Sequence, residues 1–328
     1  MEAVDWSQIH DVHCHLVERE ESLPLIETLK CNRVWLMGTR PSEWPLVEQS
    51  GIKFPRKVAM AFGIHPWFAH EFQDTDDAIA QLRKYLVNQP TSFVGEIGLD
   101  GIATHADTKV KYDMDHQLRM FTAQMKLAAE LQRPVSVHAV GCFGKLESYF
   151  MELCKDVPKD LSRKEKERIR RSKLEADPAT TATSKTTTTT TASTTAANME
   201  SQVSAQSNNN AMHPSLNAWP PAIMLHSYSG SPETIRNIMR YPSLVSSRFY
   251  FSFSHFVNGR MAFEKLQQRI AQVPDDRILI ESDLNDPKLV DEACFKALEM
   301  VANAKGWSLD EATKRVGANA ARFLGRLL

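Results

Sequence analysis

Short apolar runs recur along the chain, and many end on a polar or ionisable side chain. Ile9–Cys14, Thr91–Ile97, Pro134–Val137, Ala222–Leu225 and Ile278–Ser282 are examples. Runs of this length, rich in β-branched and aromatic residues, predict strands. Eight candidates emerge: Ile9–His13, Val34–Met37, Val58–Phe62, Ser92–Ile97, Pro134–His138, Ile223–His226, Phe249–Phe253 and Arg277–Glu281. Helical periodicity fills the intervals. In Asp113–Leu131, for instance, Leu118, Phe121, Met125, Ala128 and Ala129 share one stripe. Strand–helix alternation implies a parallel sheet, and eight strands imply closure into an α/β (β/α)8 TIM-like barrel.

One connection breaks the rhythm. His138 and His226 lie 88 residues apart, far more than a crossover needs. The excess spans residues 156–217 and contains a Thr/Ala tract (Ala179–Ala197), then the polar stretch Ser201–Asn210. Such a composition buries too little apolar surface to offset chain entropy, which predicts a low-complexity, disordered insert. Its front end, Lys159–Lys173, carries eight basic and three acidic residues. That segment reads either as a solvated charged extension or as a nuclear-localisation or nucleic-acid patch. Without the insert about 266 residues remain, near the ~250 typical of one barrel. Residues 1–328 are therefore expected to be a single barrel with an excursion between strands five and six.

Composition narrows the class. With 42% hydrophobic and 24% charged residues and a net charge of −1, the chain is ordinary for a globular protein. It has no global charge that would attract nucleic acid, although a local basic rim remains compatible. Cys14, Cys31, Cys142, Cys154 and Cys294 are odd in number and scattered, as expected of free thiols in a reducing compartment. The first strand begins near Ile9, leaving no room for a presequence, and no apolar run reaches 18 residues. A cytoplasmic or nuclear location, away from membranes, is the expectation.

The ionisable strand ends carry the chemistry. His13 and His15 stand at i and i+2, so both point to one face while Cys14 points to the other. Glu96 sits in Phe93-Val94-Gly95-Glu96-Ile97-Gly98, a run too apolar for an unpaired carboxylate. His138 and His226 each close an apolar run, and Asp283 follows Ile278–Ser282. Taken singly, Glu96 has a structural salt bridge as its lesser alternative, and either histidine alone is more often a satisfied buried residue than a ligand. Six such groups on five strands converge on the C-terminal mouth of a barrel, where that fold keeps its chemistry. One catalytic zinc needs only three protein ligands. Four imidazoles and two carboxylates suit two divalent ions about 4 Å apart, bridged by a carboxylate. The chain order suggests His13, His15 and Asp283 at one ion, His138 and His226 at the other, with Glu96 between. Zinc, manganese or iron fits this donor set, and magnesium stays open. Asp283 and Glu96 are the candidate catalytic carboxylates of a metal-dependent hydrolase. His65 and His255, at the ends of strands three and seven, are candidate substrate contacts or structural rim histidines.

Several segments resemble the TatD family of metal-dependent deoxyribonucleases, within the amidohydrolase-like barrel superfamily. They are Asp11-Val12-His13-Cys14-His15-Leu16, Gly63-Ile64-His65-Pro66, Gly95-Glu96-Ile97-Gly98-Leu99-Asp100, Pro134–His138, His226-Ser227-Tyr228-Ser229-Gly230, Glu281-Ser282-Asp283 and Asn319–Leu324. The resemblance implies phosphodiester hydrolysis on DNA, with the six groups above in the family's ligand positions. The insert and the Glu-Ser-Asp-Leu-Asn sequence are similar to a fungal branch, which implies a protein partner such as a subunit of the anaphase-promoting complex. Three segments depart from the family pattern. Val140 stands where an arginine is usual, Leu284-Asn285 where Ser-Pro is usual, and Gly101-Ile102 where an aromatic pair is expected. The ligands thus persist while substrate-facing loops diverge. That leaves two alternatives: hydrolysis of another ester or amide, such as an aminoacyl-RNA ester, and a barrel scaffold that binds a partner.

Overall fold

The computed structural model describes residues 4–105, 107–160 and 214–325. Eight parallel strands run in the order β1 to β8: β1 His10–Cys14, β2 Arg33–Gly38, β3 Val58–Phe62, β4 Phe93–Asp100, β5 Val135–Val140, β6 Ile223–Leu225, β7 Phe249–Ser254 and β8 Ile278–Glu281. Helices α1 (Trp44–Lys53), α2 (Thr75–Asn88), α3 (Met114–Glu130), α4 (Phe143–Leu153), α5 (Pro232–Met239), α6 (Phe263–Ile270), α7 (Pro287–Lys305) and α8 (Leu309–Leu324) pack outside them. The predicted stripe at 113–131 becomes α3, whose Asp113 side chain accepts the Asp115 N–H. Similar caps start α2 at Asp74, α5 at Ser231 and α7 at Asp286, each contributing about 1 kcal/mol.

Side chains alternate along each strand. Trp35 and Met37, Ala59 and Ala61, Met224, Tyr250 and Leu279 fill the barrel interior. Val34, Leu36, Val58, Met60, Phe62, Ile223, Leu225, Phe251 and Phe253 pack against the helices instead. The bottom of the interior is plugged by Ala320, Phe323 and Leu324 from α8, and Phe323 stacks on Trp35 with ring centroids 5.2 Å apart.

Among the described residues β1 and β8 share no ladder. The seam is stapled instead by Asp11, whose carboxylate accepts the Ser282 N–H at 2.8 Å and its hydroxyl at 2.5 Å. Toward the mouth, Asp283 N–H donates to His13 O at 3.0 Å, and His15 N–H to Leu284 O at 2.9 Å. Burial raises the Asp11 carboxyl to about 7 even against these donors.

The barrel unit runs to Val157 and resumes at Pro214, with a second unit at Pro158–His213. Val157, Leu216 and Trp219 are buried in the barrel core. The predicted insert, 156–217, is therefore too wide at both ends, because sequence composition cannot register two packed anchors. The Thr/Ala tract and all but the first two residues of the basic segment lie outside the described residues. All five cysteines are free thiols.

Candidate metal centre

Two irregularities aim the site. The β1–β2 register shifts between Asp11 and Cys14, so Val12 lies in the interior while Cys14 packs outward. His13 and His15 are thereby turned to the mouth, on one face, as the i, i+2 spacing predicted. The β4–β5 register shifts between Val94 and Ile97. Phe93 points in, whereas Ile97 and Leu99 point out. An extra residue in the strand changes its parity, and this brings Glu96 inward.

Glu96 is the centre of the cluster. Its Oε2 lies 3.3 Å from His13 Nε2 and 3.5 Å from His15 Nε2. Its Oε1 lies 2.9 Å from His138 Nδ1, 2.8 Å from His226 Nε2 and 3.3 Å from His65 Nε2. Asp283 Oδ1 stands 3.4 Å from His15 Nε2, and its Oδ2 accepts from the Ser227 hydroxyl at 3.1 Å. All six predicted ligands therefore meet at one point, and His65 joins them. His255 does not. It is exposed at the start of a one-turn helix, and the cavity wall is formed by its neighbour Phe256.

His13, His15 and Asp283 form one close group. His138 Nδ1 and His226 Nε2 lie 3.4 Å apart, each within 2.9 Å of Glu96 Oε1, and His138 also groups with His65 and Glu96. His226 stands between the halves, stacked on His13 with centroids 3.8 Å apart, and it also groups with His13 and Glu281.

Partners that sequence reasoning left without a role surround this cluster. Ser136 Oγ lies 2.9 Å from His13 Nδ1, and Asp100 Oδ2 lies 3.2 Å from His138 Nε2. Glu281 accepts the Ser227 N–H at 2.6 Å and sits 3.6 Å from His226 Nδ1. Such contacts orient ligating imidazoles. A carboxylate ending the apolar strand Ile278–Glu281 was the available signal for Glu281. Nothing local distinguishes Ser136.

Burial opposes charge on every group here. At Glu96 the imidazoles of His65, His226 and His13 outweigh it and hold the carboxyl well below the usual carboxylate range. Asp283 is also lowered despite burial, through His15, His226 and His13. Burial lowers His15 too, yet Asp283 and Glu96 raise it to about 9. His226 is raised well above the ordinary imidazole value against the same penalty, by Glu96 and Glu281. Burial prevails at His65, which falls to about 4, and at His13, lowered further by His226.

This donor set fits divalent cations. His13 Nε2 faces His15 Nε2 at 3.2 Å, and His226 Nε2 faces His138 Nδ1 at 3.4 Å. Lone pairs so close repel unless a proton or a cation lies between them. His226 Nδ1 and Glu281 Oε2 are buried without a hydrogen-bond partner among the described residues, a costly condition for polar groups. Imidazole nitrogens mixed with carboxylate oxygens suit zinc, manganese or iron.

The cluster floors a cavity of about 250 Å3, walled by Thr39, Trp67, Phe68 and Phe256. A larger depression of about 700 Å3 lies between α2 and α3. It is less relevant chemically: its Arg83 and Glu130 are paired, and none of the His/Cys/Asp/Glu groups able to hold a cation among the described residues lies there.

Residues 10–325 match the family described as TatD related DNase. The Cut9-interacting protein scn1 of Schizosaccharomyces pombe is 28% identical over 370 aligned positions, covering 96% of this chain and 98% of that protein. The uncharacterized deoxyribonuclease YMR262W of Saccharomyces cerevisiae is 24% identical, over 43% of this chain and 60% of that protein. Among solved structures, YJJV, a TatD homologue of Escherichia coli, superposes with a TM-score of 0.63 at 18% identity, covering 97% of this chain and 98% of that chain. A TatD family hydrolase of Entamoeba histolytica gives 0.62 at 12% identity, over 96% and 97%. These two likenesses concern the fold.

Proposed function

Because this chain belongs to the TatD-related DNase family, and so to hydrolases of the TatD type, we propose that it cleaves phosphodiester bonds in DNA with two divalent ions at the barrel mouth. One observation carries the reading. Glu96 turns one carboxylate oxygen to His13 and His15 and the other to His138, His226 and His65. That is the disposition a bridging carboxylate requires.

His13, His15 and Asp283 would hold one ion. His138, with His65 or His226, would hold the other, and Glu96 would be shared. Bound there, the ions supply Lewis-acid polarisation of a phosphoryl oxygen and a lower pKa for water. The protein supplies the rest. Asp283, kept ionised and fixed by Ser227, takes the proton of the attacking water. Asp100 and Glu281 orient His138 and His226, and Trp67, Phe68 and Phe256 enclose the cavity.

Elemental analysis of protein loaded with manganese or zinc, combined with assays on single- and double-stranded DNA, tests this. About two ions per chain and metal-dependent cleavage are expected. A folded protein that retains no ion and cuts no phosphodiester would overturn the reading.

A second proposal concerns a partner. A relative aligned over nearly the whole chain is named for interacting with Cut9, and the sequence resemblance points to a subunit of the anaphase-promoting complex. We propose a protein partner of that kind, and with it a nuclear or cytoplasmic site of action. Among the described residues no helix is long and apolar enough to cross a membrane.

A further inference from the structure

The mouth of the barrel carries aromatic rings and a guanidinium that the metal chemistry does not use. Trp67 follows β3 and Phe256 follows β7. Three strands lie between β3 and β7 on either way round an eight-stranded barrel, so the rings rise on opposite sides of the mouth, and both line the same cavity. Each is solvent-exposed, 44% for Trp67 and 47% for Phe256. Exposed apolar surface that rims a polar cavity marks a ligand-binding groove.

The rings are also held in place. Trp67 Nε1 donates to Asp100 Oδ2 at 2.8 Å, and its ring meets His65 edge-on at 4.8 Å. Arg260 lies over Phe256, its guanidinium carbon 4.5 Å from the ring centroid. The comparable cation on the other rim, Arg40 over Phe68, is already paired with Glu43 at 2.9 Å. Arg260 has no carboxylate partner among the described residues.

We propose that Phe256 and Arg260, facing Trp67 across the mouth, form a nucleotide subsite beside the metal centre. An unpaired base stacks on a ring while the guanidinium receives the adjoining phosphate. The chemistry matches both halves of a nucleotide: a π-face for any base and a planar fork of donors for a phosphate. The subsite binds and positions the strand and takes no part in bond cleavage. It rests on the phosphodiester reading above.

The test compares wild type with Arg260→Ala, Arg260→Lys and Phe256→Ala, all exposed changes. The manganese-loaded proteins are assayed on a thymidine octamer and on methyl 4-nitrophenyl phosphate, a diester with no neighbouring nucleotide. Binding of a fluorescein-labelled phosphorothioate thymidine octamer is followed by anisotropy across a salt series. Arg260→Ala and Phe256→Ala should each weaken octamer binding about tenfold. Their loss of kcat/KM on the octamer should exceed that on the small diester by a similar factor. Arg260→Ala should also reduce the slope of log affinity against log salt by about 0.7, one phosphate's share on a single strand, and Arg260→Lys should restore it. Unchanged octamer binding and slope, or equal losses on both substrates, would overturn the subsite alone. A wild type that hydrolyses neither diester overturns the phosphodiester reading, and the subsite with it.

Discussion

At the scale of single residues, the site depends on where each carboxylate oxygen points. Asp283 offers Oδ1 toward His15 and Oδ2 to the Ser227 hydroxyl, and its backbone has φ +55°, a left-handed conformation uncommon for a non-glycine residue. Asp283→Asn keeps shape and one ligating oxygen but removes the proton acceptor. Turnover should fall roughly 100-fold or more, with a smaller change in substrate affinity. Rate and melting temperature measured on one preparation separate this from mere destabilisation, since a variant that melts early yet cuts at the wild-type rate would end the assignment. His10 makes a different prediction. Burial, aided by nearby Arg33, lowers its pKa from 6.5 to about 4. The folded protein thus resists a proton that the unfolded chain accepts. Above pH 6.5 this costs nothing, and between 6.5 and about 4 it removes up to about 3 kcal/mol of stability. His10→Gln should lose less stability than wild type over that window. Urea midpoints at pH 7.5 and 4.5 check it, and parallel losses would show that His10 is not the cause.

At the scale of elements, the two register shifts do most to build the site. Without the irregularity in β4, Ile97 and Leu99 would turn inward and Glu96 would face the helices, since one residue of slip exchanges the faces of a strand. The β1–β8 seam is the other critical junction, because side-chain hydrogen bonds from Asp11 do what a ladder does elsewhere. Asp11→Ala would strand the buried Ser282 N–H, at a cost of roughly 1–3 kcal/mol for a buried donor left without a partner. Native-state hydrogen exchange should show the amides of Ser282 and Asp283 losing protection, while β3–β6 amides keep theirs. Uniform loss across all strands would mean the seam has no local role.

At the scale of the whole molecule, the barrel is complete in the described residues, closed below by Phe323 and above by the ligand cluster. Val157 and Leu216 are buried on either side of the long connection. We therefore propose that residues 1–328 act as one barrel domain. Replacing 161–213 by a short Gly-Ser linker should leave the melting temperature within about 3 °C, because loop length costs only about 0.6 kcal/mol per doubling. Thermal melts of both proteins check it. A variant that fails to fold would show that the connection belongs to the barrel core.

The sequence by itself determined the eight strands, their parallel order and the identity of the six ionisable residues that meet at the mouth. These depend on local periodicity and on the cost of placing a charge at the end of an apolar run, and both are legible within a few residues. His13 and His15 were found because two positions along one strand share a face. What only the tertiary structure decided depends on pairings between distant segments. The inward turn of Glu96 comes from its register against β5. His226 stands between the two halves because β6 brings its ring onto that of His13. His65 enters the cluster, its Nε2 3.3 Å from Glu96, whereas His255 stays outside, exposed at the start of a one-turn helix after β7. Glu281, Asp100 and Ser136 join the site only through imidazoles contributed by other strands. Val157 and Leu216, next to a polar tract, count as core only once the barrel wall is there to cover them.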